Sequence, residues 1–319
     1  MRLALSLISS LAATSAAGDF SLTFPIDCTL DDICFIQQFV DHDPTAGVHD
    51  FTCGALSYDG HKGTDFALPS RAAQRAGVNV LAAAAGKVLG VRNDMQDILQ
   101  TSPDAPDVSD RECGNGLVIA HENGFETQYC HMKRGSITVK AGQSVAANTV
   151  LGQVGLSGQT QFPHLHLSVR KDGQTVDPFD TDGAQTCPNT QTPTLWDTTL
   201  PAPAGGIVNI GISQTVPTFD AIKQGVADTG ARADGSGLVG WVHLFGTRGG
   251  DIVSFTMTGP DGITFSSTDT FPRNQARAFR ASGRRTPATG WTKGAYTLDI
   301  SLTRADQQID HETRHFTLD

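Results

Sequence analysis

The chain holds 319 residues, 39% of them apolar and 34 of them glycine, which is enough for a sizeable core and long enough for two domains rather than one. The formal charge is −10, a poor match for nucleic acid, whose binding rests on neutralising phosphates. That apolar and glycine content excludes a wholly disordered chain, and with only 18% of residues charged the composition suits tightly turned β structure of an exported protein.

Arg2, the apolar run over residues 3–13 and the small residues Thr14-Ser15-Ala16-Ala17 read as a secretory signal peptide over 1–17. The run is shorter than the ~20 residues that cross a bilayer, so no membrane span is expected. The chain is expected to be exported, to the periplasm or beyond the cell. Residues 18–50 have little periodicity and read as an ordered arm.

Cys28, Cys34, Cys53, Cys113, Cys130 and Cys187 make an even set, which in an exported chain reads as up to three disulfides. Cys113 and Cys130 bracket an expected hairpin. Cys28 and Cys34 are close enough to staple a local loop, and Cys53 with Cys187 then remain. No CxxC pair occurs, which disfavours a cysteine-rich zinc site.

Residues 51–187 carry Gly-punctuated β patterns. Strands are expected over 78–85, 87–91, 117–121, 126–131, 137–139, 150–154 and 164–170. Glu122-Asn123-Gly124-Phe125 is the turn of a hairpin, and residues 93–112 are a polar insertion expected to form a long surface loop with one helical turn around 95–100. Residues 188–206, with Pro188, Pro193, Pro201 and Pro203, read as a linker. About seven short strands follow in 207–319, with Gly259-Pro260-Asp261-Gly262 as a turn, and suggest a β-sandwich of immunoglobulin-like kind. The expected fold is mainly β throughout.

Three stretches concentrate reactive side chains: His61-Lys62-Gly63-Thr64-Asp65, Tyr129-Cys130-His131 and His164-Leu165-His166. On a strand, His164 and His166 share one face while Leu165 and Leu167 point to the core. Such a pair serves one metal site, or stands as two hydrogen-bonded histidines on an ordinary strand. His61 and Asp65 are expected on a loop, because Asp59-Gly60 and Gly63 break regular structure. Imidazole and carboxylate are both proper zinc donors. His61, Asp65 and one histidine of the pair would supply three ligands and leave an open position for water, the arrangement of a catalytic zinc. The remaining histidine and His131 would then be free for acid/base work.

Residues 59–178 resemble the lysostaphin-type (LytM-like) zinc endopeptidases of bacterial cell walls. His61-Lys62-Gly63-Thr64-Asp65 is similar to the family's HxGxD metal motif. Residues 80–88, Gly114-Asn115-Gly116-Leu117-Val118-Ile119-Ala120-His121, Thr127-Gln128-Tyr129-Cys130-His131-Met132, Pro163-His164-Leu165-His166-Leu167 and Asp177-Pro178 follow its further motifs in order. The resemblance implies zinc ligands His61, Asp65 and His166, one Zn2+ per chain, and catalytic His131 and His164. It implies a largely antiparallel sheet with a groove walled by loops, and a peptide crosslink or bridge of peptidoglycan as substrate. Cys130 inside the catalytic strand and the long 93–112 insertion depart from the pattern, and the insertion is a candidate groove wall. Two other readings stay open: a non-catalytic module that binds peptidoglycan and activates other wall hydrolases, and a zinc peptidase with another exported peptide as substrate. Nothing in 207–319 points to chemistry, which leaves it as a candidate for wall or regulatory contacts.

Overall fold

The computed structural model describes residues 20–182 and 193–319. The expected signal peptide, the start of the expected linker and Cys187, with its expected bond to Cys53, lie outside the described residues. The described structure is mainly β and its strand pairs are antiparallel.

One sheet carries the three reactive stretches. Its strands run Phe35–Gln38, Thr64–Ala67, His164–Lys171, Phe125–Met132, Asn115–Ala120, Gly86–Arg92 and Ser144–Val145, with Gln174–Val176 on a further edge of His164–Lys171. Alternation sets its faces: Leu165, Leu167 and Val169 are buried in the core with Phe66, Ile119, Tyr129 and Val88. The opposite face is left to the polar side chains between them.

The arm is built into this core. Leu22, Ile26, Ile36 and Phe39 are fully buried, Phe35–Gln38 is an edge strand, and Cys28–Cys34 closes the loop before it. A run with no clear period is the expected look of a segment that crosses a core instead of lying along its surface. The second expected disulfide, Cys113–Cys130, is also present.

Several expectations shift. Asp65 lies on the strand Thr64–Ala67 and not on a loop: Gly63 ends the irregular stretch, and Thr64, Asp65, Phe66 and Ala67 pair with Leu167, His166, Leu165 and His164. The strand expected over 78–85 shortens to Asn79–Leu81, and residues 137–139 form no strand. Residues 95–100 form no helical turn. Their backbone is held instead by side chains: Met95 N–H donates to Asn115 Oδ1 at 2.8 Å, and Asn115 Nδ2 donates to the Met95 carbonyl at 2.8 Å. Two short helices, Arg71–Ala76 and Phe219–Gln224, were not expected; each is too short to show a helical period.

Beyond residue 205, a three-stranded sheet of Gly206–Ser213, Gly237–Thr247 and Gln275–Arg285 faces a four-stranded sheet of Gly262–Thr270, Ile252–Gly259, Gly294–Arg304 and Gln307–Leu318. Leu238, Val242 and Leu244 from the first share a core with Phe255, Met257, Leu298 and Ile300 from the second. Phe245 joins the other core, with its ring 4.7 Å from Phe35, so the two parts of the chain pack against each other.

Candidate active site

The polar face of the first sheet gathers all five expected residues. Asp65 and His166 are direct partners across neighbouring strands, and His61 enters from the loop before Asp65. His61 Nε2 stands 3.1 Å from His166 Nδ1 and 3.3 Å from Asp65 Oδ1, and His166 Nδ1 is 2.9 Å from the same oxygen. Two donors on a tetrahedral zinc, at ~2.0–2.1 Å each, sit about 3.3 Å apart, so the trio is spaced as a three-donor set. Its chemistry, two imidazoles and one carboxylate, also fits zinc.

The ring nitrogens that do not face this point are held elsewhere. His61 Nδ1 donates to the Phe39 carbonyl at 2.6 Å, and His166 Nε2 contacts Ser168 Oγ at 3.0 Å. Outer contacts of this type fix tautomer and ring orientation. Gly63 has a separate reason to be there: a Cβ at this position would meet His166 Nε2 at 2.6 Å and the Leu167 carbonyl at 2.7 Å.

His131 and His164 stand beside the trio. Their rings lie 4.6 Å apart, and His164 Nε2 is 3.5 Å from Asp65 Oδ1. His131 Nδ1 donates to the Ser157 carbonyl at 2.9 Å, and His164 Nδ1 to the Phe162 carbonyl at 3.0 Å. A carbonyl only accepts, so both rings carry the proton on Nδ1 and keep Nε2 as the free lone pair.

His131 has φ +61°, left-handed backbone that a non-glycine residue rarely adopts, next to an irregularity in pairing between Asn115 and Leu117. Its N–H is fixed by the Cys113 carbonyl at 2.8 Å and its carbonyl by Gly155 N–H at 2.9 Å. The Cys113–Cys130 bond therefore clamps the residue just before a strained site residue.

Charge and burial act together here. Burial raises the Asp65 carboxyl, but His61, His164 and His166 outweigh it and hold the group well below the usual carboxylate range. Burial lowers His61, and the Asp65 charge overrides it to give a net rise. Burial, then the charges of His164 and His166, push His131 well below an ordinary histidine. Burial also lowers His164, partly offset by Asp65. Two buried neutral imidazoles thus border a buried anion.

Some participants carry no signal in the sequence. The Phe39 and Ser157 carbonyls are backbone groups, and backbone acceptors are not written in residue type. The Tyr58 ring stacks on His61 at 4.4 Å and stays half exposed. His42, in the arm, is buried, with Nε2 2.8 Å from Asp177 Oδ2. His121 has an ordinary structural role, bonded to the Ala85 carbonyl and Thr127.

Residues 59–178 match the model of peptidase family M23. This stretch is an M23 peptidase domain. Over 65 residues the chain is 42% identical to the DD-carboxypeptidase/endopeptidase Mpg of Neisseria meningitidis, 20% of this chain and 14% of that protein. Over 122 residues it is 34% identical to the peptidoglycan DD-endopeptidase ShyB of Vibrio cholerae, 38% of this chain and 23% of that protein. The chain thus spans less than a quarter of the length of either relative. Among solved structures, a zinc-containing peptidase from Vibrio cholerae aligns at 26% identity over 54% of this chain and 41% of that one, with a TM-score of 0.35. Among the described residues no helix is long and apolar enough to cross a membrane.

Proposed function

We propose that the chain is an exported zinc-dependent endopeptidase that hydrolyses peptide crosslinks of bacterial peptidoglycan. The observation that carries this reading is the convergence of His61, Asp65 and His166 on one point, with two neutral histidines alongside. The match of 59–178 to M23 peptidases, with relatives named for peptidoglycan endopeptidase activity, supports the substrate class. The two C-terminal sheets are read as an accessory β-sandwich after a linker at 188–206.

In this reading His61, Asp65 and His166 hold zinc, and His131 and His164 are the catalytic residues. Bound there, zinc supplies Lewis-acid polarisation of the scissile carbonyl and a lowered pKa for the attacking water. His131 offers its Nε2 lone pair as the proton acceptor. Burial keeps that lone pair available at neutral pH, and the Ser157 carbonyl keeps it aimed. His164, oriented by the Phe162 carbonyl, is placed to stabilise developing charge on the substrate oxygen once protonated, or to hand a proton to the leaving amine. The buried Asp65 charge favours that protonated form.

Zinc stoichiometry combined with digestion of defined crosslinked muropeptides tests the proposal. The expected result is one zinc per chain and cleavage of the crosslink. His131→Ala should keep the zinc and lose about 10²–10⁴ in turnover, whereas His61→Ala or Asp65→Ala should lose the metal. Substoichiometric zinc after reconstitution, with no product, would replace this reading with the non-catalytic binding module.

A further inference from the structure

We infer that the C-terminal β structure completes the substrate cleft, with Arg277, Lys223 and Arg71 forming a subsite for a carboxylate of the bound peptide. This inference rests on the endopeptidase reading and names a feature of the substrate that reading leaves open.

The cleft has a volume of about 390 Å³ and is lined by Phe162 and Pro163 just before the HxH strand, by the 93–112 insertion, and by Lys223 and Arg277 from beyond the linker. It adjoins the site through one ring. Phe162 stacks on His164 at 4.4 Å, and the Arg277 guanidinium carbon lies 5.1 Å from the centre of the same Phe162 ring. The guanidinium is therefore no further from the His164 ring than those two distances laid end to end. Two helices bring the parts together, as Gly225, at the end of Phe219–Gln224, packs on Ser70 and Ala72.

The cationic side chains of this cleft outnumber its carboxylates, and the buried ones are unpaired with any carboxylate among the described residues. Arg277 Nε donates to His243 Nε2 at 3.2 Å, but its Nη2 is buried with no partner and no carboxylate pairs with it among the described residues. Burial alone lowers its pKa to about 10, with no acidic neighbour to oppose the shift. Arg71 Nε is likewise buried and unpartnered. The two acidic residues at the cleft do not compensate. Asp97 accepts from the backbone N–H groups of Arg134 and Leu156, at 2.9 and 2.7 Å. Asp220 is largely exposed, 4.0 Å from Lys223.

A desolvated guanidinium without a counter-ion is costly, and its planar fork matches a carboxylate. In a chain of net charge −10, a cationic recess beside the reactive histidines also focuses anionic groups to one place. A crosslinked stem peptide with a free carboxylate a few bonds from the scissile amide offers that group within reach.

The probe is a synthetic crosslinked stem-peptide dimer with that carboxylate free, compared with the same dimer amidated there. The zinc-loaded full chain should cleave the free acid with a kcat/KM roughly tenfold to a hundredfold above the amide, and R277Q should bring that ratio close to one. K223Q, at a more exposed position, should lower the ratio about threefold and guards against an R277Q chain that fails to fold. Calorimetric binding of both dimers to the metal-free full chain should show the same preference. Equal affinity of the two dimers for the wild-type chain, or a preference that survives both substitutions, overturns the subsite. Preferential binding of the acid without cleavage of either dimer would retain the subsite and sink the endopeptidase reading instead.

Discussion

Gly63→Ala isolates the geometry of the donor trio without removing any donor. The added Cβ would sit 2.6 Å from His166 Nε2 and 2.7 Å from the Leu167 carbonyl. The carbonyl is held in the central ladder, so the residue-63 backbone must shift away from it, and the imidazole must give way as well. To reach the 3.4 Å of an ordinary contact it has to retreat by about 0.8 Å. Such a displacement breaks the 3.0 Å contact with Ser168 and carries Nδ1 away from Asp65. Loss of an orienting contact of this sort costs roughly 10–100-fold in metal affinity, and crowding a packed site costs about 1–3 kcal/mol of stability. Zinc affinity by competition with a chromogenic chelator, next to a denaturant melt of the metal-free chain, reads both effects. An alanine variant with wild-type zinc affinity would refute the claim that Gly63 is present to make room for the His166 ring.

Three further outcomes are expected. Removing both Cys113 and Cys130 by serine substitution should cost about 3 kcal/mol in chemical denaturation, from a separation of 17 residues, and should also slow turnover because the Cys113 carbonyl anchors His131; unchanged turnover would disconnect the disulfide from the site. Asp251→Ala should cost about 3–5 kcal/mol, since it strands Arg304, which reaches Asp251 at 2.8 and 2.7 Å while also bonding the Ala204 and Gly246 carbonyls; a loss below 1 kcal/mol would count against it. His243, buried against Arg277, has its pKa pushed well below that of a free histidine by burial and then by Arg277 and Lys223, so below about pH 6.5 the unfolded chain takes up a proton that the folded chain refuses. Its stabilising contribution is therefore complete above that pH and shrinks as pH falls. Hydrogen exchange in Gly237–Thr247 should accelerate from pH 7.5 to 5.5, after correction for intrinsic exchange, more in the wild type than in His243→Gln, and equal acceleration would exclude this cause.

Much of the candidate site was legible because it depends on side-chain type at fixed spacing. His164 and His166 share a face by strand alternation, and Leu165 and Leu167 mark the face that is buried. The Asn123-Gly124 turn was readable for a similar local reason, since both residues adopt positive φ. What could not be read depends on chain elements distant in sequence. Asp65 reads as loop until the strand opposite it is known, because a glycine and two polar residues precede it and its ladder partner lies 101 residues away. Phe39 gives no hint that its carbonyl orients His61, and Arg277 looks like any strand arginine until Phe162 and His243 are placed around it.

The direct opposition of Asp65 and His166 in the ladder has a consequence for assembly. Side chains on a strand alternate, so slipping Thr64–Ala67 by one residue against His164–Lys171 would send Asp65 to the apolar face and put its neighbour among the imidazoles. A slipped sheet would lack the carboxylate donor altogether. Under the proposed ligand set, metal capture then selects for one register among the alternatives, and a chain that has taken up its ion has passed a fidelity check on its central strands.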